Sequence, residues 1–185
     1  MPLLEVHSCH RSYDHIAKDA VRRGLRVGFI GGSDDHRGAI GDSHVCARDR
    51  FFSSHNGLVA VYAKELTREA LWDAFLKRRT YATNGARMVL DVRLDDTLMG
   101  GELQAEAGQS LRFCITTWLD GMLDRVELLR GTEVIEERSG RGNKNPTFEQ
   151  EFELSAVPGE TAYWLRVFQT DGGKAWTSPI WVTAR

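Results

Sequence analysis

Several things are scarce or missing in this chain of 185 residues, and each absence excludes a class of function. There are only three cysteines, at positions 9, 46 and 114. An odd count with no Cys-x-x-Cys pair builds no disulfide framework, so free thiols in a reducing compartment are expected, with the cytoplasm favoured. Charge of one sign is also missing, since 24 basic and 26 acidic side chains leave a net −2. That balance offers no general attraction to nucleic acid or to an acidic membrane. The tight basic clusters, Arg22-Arg23 and Lys77-Arg78-Arg79, fall near expected helix C-termini, where cations complement the helix dipole. No apolar run reaches the roughly 18 residues of a transmembrane helix. Met1-Pro2-Leu3-Leu4, followed at once by Glu5, does not read as a secretory signal. A Walker loop, a dinucleotide glycine fingerprint and a Gly-x-Ser-x-Gly elbow around Ser33 are absent as well, which disfavours nucleotide binding and serine hydrolysis.

What is present is an ordinary globular composition, 42% hydrophobic and 27% charged, enough to bury a core. Two patterns divide it. Residues 2–6 read as a strand, and 13–23 as a helix with Ile16, Ala17, Ala20 and Val21 at helical spacing and Gly24 as its stop. A buried strand over 25–30 leads into a long polar loop over 31–56, and a strand at 58–63 precedes a helix opened by Thr67. This strand–helix alternation predicts an α/β unit with its chemistry at the strand C-termini. After Gly85 the pattern changes to short alternating strands at 88–92, 111–117, 125–130, 133–137, 148–154, 162–169 and 180–183, separated by turns such as Asp120-Gly121 and Asp171-Gly172-Gly173. That predicts an immunoglobulin-like β-sandwich. The expected division is residues 1–85 and 86–185. Trp118, Trp164, Trp176 and Trp181 have strand spacing, which argues for core packing over a sugar-binding platform.

Chemistry concentrates at Gly31-Gly32-Ser33-Asp34-Asp35-His36. Asp34 and His36 stand two apart where a strand ends, so their side chains can share a face and offer a carboxylate and an imidazole to a divalent metal. His10, just past the first strand, is the candidate third ligand. His7 shares the period-two face of Glu5 and is a candidate substrate contact. Asp42-Ser43-His44 repeats the Asp-x-His spacing inside a loop, and His44 is a weaker candidate for substrate binding. Arg79 could pair with an anionic substrate oxygen through its fork of donors. Cys9 and His10 are adjacent on an extended segment and point apart, which disfavours a Cys-His nucleophile.

These residues carry a family resemblance. Glu5-Val6-His7-Ser8, Arg22-Arg23-Gly24, the run from Gly28 to His36 and Gly38-Ala39-Ile40-Gly41 resemble the end of a PHP domain, the polymerase-and-histidinol-phosphatase type of metal-dependent phosphoesterase. Segments 57–63, 78–85, 163–167 and 175–182 resemble the large PHP-related hydrolases with a C-terminal β domain, the DUF3604 or CehA/McbA-like group. The resemblance implies the terminal part of a distorted β/α barrel followed by the sandwich. It implies Asp34 and His36 as the last ligands of a cluster of two or three metals (zinc, manganese or iron), and hydrolysis of a small phosphoester or other ester by a metal-activated water. The upstream His-x-His of that pattern does not occur in this sequence. The implied site is therefore incomplete, and the chain is expected to be the C-terminal portion of such a hydrolase. A half-built barrel exposes strand edges and apolar faces, which favours association, such as a homo-oligomer, or partial unfolding. The alternative is a non-catalytic β-sandwich module for binding or assembly, carrying a remnant of the α/β unit.

Overall fold

The structure is a computed structural model that describes residues 2–34, 36, 55–141, 143 and 145–185. Its elements run β1 (Leu3–His7), α1 (Asp14–Arg22), β2 (Gly28–Gly31), β3 (Leu58–Val61), α2 (Arg68–Leu76), β4 (Thr80–Thr83) and β5 (Val89–Leu94). They continue with β6 (Thr97–Leu98), β7 (Glu102–Ala105), β8 (Ser110–Trp118), β9 (Leu123–Arg130) and β10 (Glu133–Ser139), then β11 (Thr147–Ser155), β12 (Gly159–Gln169), β13 (Lys174–Thr177) and β14 (Ile180–Ala184).

Two sheets stack on one apolar core. The smaller has the order β11-β8-β5-β6, and the larger has eight strands, β10-β9-β12-β13-β4-β3 with β14 on β12 and β7 on β14. Along β8 the inward residues Leu111, Phe113 and Ile115 are buried while their neighbours face out, the alternation of a strand with one wet face. They meet Val126 and Leu128 of β9 and Tyr163, Leu165 and Val167 of β12 across the sandwich.

The long strand β12 is buried on both faces, and the reason lies in the first part of the chain. Its outward residues Ala162 and Trp164, with Leu129, Trp176 and Trp181, form a second core against Val6, Ala17, Val21 and Phe29 from β1, α1 and β2. Phe29 meets Trp164 edge to face at 5.3 Å, a favoured aromatic geometry. Each such fully buried aromatic contributes roughly 2–3 kcal/mol of transfer free energy. Trp118, by contrast, lies 48% exposed at the end of β8, so core packing holds for three of the four strand tryptophans.

The expected α/β unit, the terminal part of a distorted β/α barrel, is corrected by this arrangement. Strand accounts for 51% and helix for 11% of the described residues, and no barrel closes among them. Only β1 and β2 form the expected parallel pair, as a separate two-stranded sheet. The next strand–helix–strand run does not cross over to a parallel neighbour. Instead β3 and β4 pair antiparallel, and β4 pairs on its other side with β13. All four residues of β4 are buried, so it serves as an interior strand of the larger sheet. The protein is mainly β. That sheet draws β3 and β4 from before residue 85 and its other six strands from after it.

Both helices are only nine residues long. In α1, Ala17 and Val21 face the second core, Ala20 is buried beside them, and Gly24 closes the end at φ +70°. In α2 the Thr67 hydroxyl accepts the Ala70 N–H at 3.3 Å, the cap its residue type favours. Among the described residues no helix is long and apolar enough to cross a membrane. Cys9 is buried and Cys114 half-buried.

Candidate functional site

Backbone first sets the site. Strand β2 lies flat against β3 and β4 because its glycines allow it: a Cβ on Gly31 would stand 2.7 Å from the Leu58 carbonyl oxygen and 2.8 Å from that of Thr83. Beyond Gly31 the chain leaves the sheet, and Asp34 and His36 take left-handed backbone conformations at φ +48° and +58°. For residues other than glycine this costs on the order of 1 kcal/mol each, and such strain concentrates at functional loops. The loop is tied to the end of β1 by hydrogen bonds from the Cys9 N–H to the Ser33 carbonyl (3.0 Å) and from the Cys9 thiol to the Asp34 carbonyl (3.3 Å).

These ties bring His10, Asp34 and His36 together. The Asp34 carboxylate sits between the two imidazoles, with Oδ2 3.1 Å from His10 Nε2 and Oδ1 3.1 Å from His36 Nε2. The rings meet edge to face with centroids 5.6 Å apart. One ligand atom from each residue falls within 4.8 Å of the others. The cluster is open to solvent, the side chains of Asp34 and His36 being 53% and 66% exposed. Two imidazole nitrogens and a carboxylate oxygen suit a borderline divalent ion such as zinc, manganese or iron. The 3.1 Å nitrogen–oxygen separations approach the edge of about 3.4 Å in a tetrahedron with bonds of about 2.1 Å. The donor set therefore fits the metal that the resemblance implies.

Glu5 borders the cluster. Its carboxylate lies over Gly32, where a Cβ would meet Oε1 at 2.7 Å. Partial burial, reinforced by the charge of Asp34 and opposed by that of His10, holds its carboxyl above the usual range. Period-two spacing put His7 on the face of Glu5, and a bulge in β1 between them breaks that relation. His7 turns inward instead, 1% exposed and stacked on Trp176 at 5.9 Å. Its Nε2–H donates to the His55 carbonyl at 2.9 Å, which fixes the tautomer and leaves Nδ1 to accept the Ser12 hydroxyl at 3.0 Å. Burial lowers its pKa, against the hydrogen bond to His55.

Arg79 stands at the far end of β4. Gly28 of β2 abuts Thr80 and Gly31 abuts Thr83, so the cluster beyond Gly31 lies toward Thr83 and away from Arg79. Asp42 and His44 lie outside the described residues.

A charged group the sequence did not signal anchors α1. Asp14 Oδ1 accepts the Trp176 indole N–H at 2.8 Å and Arg166 Nη1 at 3.1 Å, with Lys174 Nζ 3.6 Å from Oδ2. Burial opposes its ionisation, yet the Trp176 and Arg166 hydrogen bonds and the Lys174 charge hold its carboxyl below the usual range. Arg166 continues the network to Glu127, itself 6% exposed.

Comparison with known proteins adds relatives but no activity. The family described as "Protein of unknown function (DUF3604)" matches residues 43–94, a span that begins past His36 and ends with β5. An uncharacterized protein of Chlamydia pneumoniae is 32% identical over 177 residues, covering 89% of this chain and 28% of that protein. One of Chlamydia trachomatis is 29% identical over 184 residues, with coverages of 88% and 28%. Among solved structures, the fibronectin(III)-like modules of Clostridium thermocellum CbhA match at a TM-score of 0.36 and 18% identity, over 52% of this chain and 96% of that one. The chain thus spans 28% of the length of the curated relatives it matches, and its sequence is similar to theirs along most of its own length.

Proposed function

We propose that the chain is a β-sandwich module for binding or assembly that presents a divalent metal site, His10–Asp34–His36, at the loop beyond β2. The convergence of the three ligand atoms within 4.8 Å carries the metal part of this reading. The sandwich part is supported by the stacking of the two sheets on a shared core. Two exposed donors and one half-buried donor can hold an ion but provide little of the dry, shaped cavity that metal-assisted hydrolysis needs. When bound, the metal supplies Lewis acidity and lowers the pKa of a coordinated water. Asp34 and the imidazoles of His10 and His36 would hold it, and Glu5 would lie beside it.

A second reading is favoured by Glu5. A carboxyl with a raised pKa next to a metal site is a candidate general base, and this agrees with the closing portion of a PHP-like hydrolase of phosphoesters or related esters. In that reading the catalytic centre belongs to a longer protein. The test is a phosphomonoester and phosphodiester assay of this chain with manganese or zinc, beside Asp34→Ala and His36→Ala. Equal background turnover in all three is what the module requires and shows that this chain alone holds no complete hydrolytic site. Robust turnover by the unmodified chain, lost in both variants, establishes a complete hydrolytic site and overturns it.

A further inference from the structure

A concave surface lies where His55, the segment 84–86, Asp120 and the turn from Gln169 to Gly173 meet. It is a cavity of 220 Å³ whose lining includes His55, Asn84, Asp120, Gln169 and Asp171 and contains no lysine or arginine. Gln169 is 4% exposed. Its Nε2–H donates to Asp120 Oδ1 at 2.9 Å, and because a carboxylate only accepts, that bond fixes which way the amide points. The amide oxygen Oε1 is therefore left buried with no hydrogen-bond partner in the protein, a position that a water or a cation would satisfy.

Asp171 faces the same point. Its Oδ1 accepts the Gly173 N–H at 3.0 Å, while its Oδ2 lies beside Gln169 Oε1 on one side of Gly121. A Cβ on Gly121 would stand 2.6 Å from Asp171 Oδ2 and 3.1 Å from Gln169 Oε1. Gly173 likewise has no room for a side chain against Oε1. The Arg87 N–H holds Asp120 in place through Oδ2 at 2.8 Å. Asp171 Oδ2 and the orphaned Oε1 thus share one side of Gly121, and Asp120, whose two oxygens each already accept one N–H, lines the same cavity, where His55 is the one ionisable base.

We propose that Gln169 Oε1, Asp171 and Asp120 form an all-oxygen binding site for Ca²⁺ that pins together the loops at this end of the sandwich. Hard cations select carboxylate, amide carbonyl and water oxygens, whereas the nitrogen-containing cluster at His10 and His36 suits a transition metal. Calcium takes six to eight oxygens in adaptable geometry, so waters in the open cavity complete the shell, and magnesium's strict octahedron fits less well. With two carboxylates the dissociation constant belongs on the order of 10⁻⁴–10⁻³ M.

The experiment is calorimetric titration and thermal unfolding of the full chain with calcium chloride alone. A tenfold excess over the dissociation constant is expected to raise Tm by about 3–6 °C. The shift is expected to vanish in Asp171→Asn, which keeps the Oδ1 contact to Gly173, and in Gly121→Ala, whose methyl crowds both oxygens. It is expected to persist in His36→Ala. Should Gly121→Ala fail to fold, Asp171→Asn decides. No shift in the unmodified chain, an unchanged shift in Asp171→Asn, or loss of the shift in His36→Ala would each overturn the proposal.

Discussion

At the scale of single residues, two buried groups set how the protein responds to mutation and to pH. Asp14 accepts hydrogen bonds from Trp176 and Arg166, so Asp14→Ala leaves a buried indole N–H and part of a guanidinium without their acceptor. The expected cost is about 1.5–3 kcal/mol, read as a lower urea midpoint at unchanged m-value. A cost near zero would show that the network is not structural. Because the folded carboxyl titrates below its usual range, this contribution is full above the unfolded pKa near about 4 and is lost as pH falls through the folded value. His7 works in the same direction. Its folded pKa is lowered by burial, so as pH falls below about 6.5 the unfolded chain takes up a proton that the folded chain refuses. Stability should decline there by up to about 1.4 kcal/mol per pH unit, and His7→Gln should flatten that decline. An identical pH slope in the variant would assign the effect to another group. Asp14 was not legible because nothing local marks an acid in a first helical turn as the acceptor for an indole 162 residues away. The Asp34–His36 pair was legible as a motif, but the left-handed backbone that presents it was not.

At the scale of elements, the alternation of polar and apolar residues after Gly85 matches seven strands of the structure: β5, β8, β9, β10, β11, β12 and β14. The pattern works there because each of these strands needs at least one face to match the core. The strands it missed, β6, β7 and β13, have two to four residues, too few for a period to show. The misread α/β unit has a different cause. A strand–helix–strand order is compatible with a parallel crossover and with an antiparallel return, and only the long-range pairing of β4 with β13 decides between them. The flat seating of β2 offers a test at this scale. In Gly31→Ala the new methyl would meet two backbone carbonyl oxygens that cannot turn aside. The expected loss is about 1–3 kcal/mol, together with weaker zinc binding as the loop carrying Asp34 and His36 is displaced. Unchanged stability and unchanged metal affinity would show that β2 does not position the cluster.

At the scale of the whole molecule, β12 is the shared wall of both cores, with Leu165 and Val167 facing the sandwich and Trp164 facing β1, β2 and α1. A chain of residues 86–185 alone would lose β3, β4 and the core residue Tyr81 from the larger sheet and strip the cover from Trp164, Trp176 and Trp181. Its tryptophan emission is expected to shift to longer wavelength and its exposed apolar face to bind a hydrophobic dye. A native-like emission spectrum without dye binding would show that residue 85 divides two independent units. The same layering places the His10–Asp34–His36 cluster outside both cores, on a loop whose anchor is the end of β1. The most direct test is therefore metal content at equilibrium: the full chain dialysed against zinc, and separately against manganese, with bound metal measured per chain and compared with His10→Ala, Asp34→Ala and His36→Ala. Close to one ion per chain, lost in each of the three variants while their unfolding midpoints stay near that of the unmodified protein, is the expected result. Binding that survives all three substitutions, or no binding by the unmodified chain, would contradict the account.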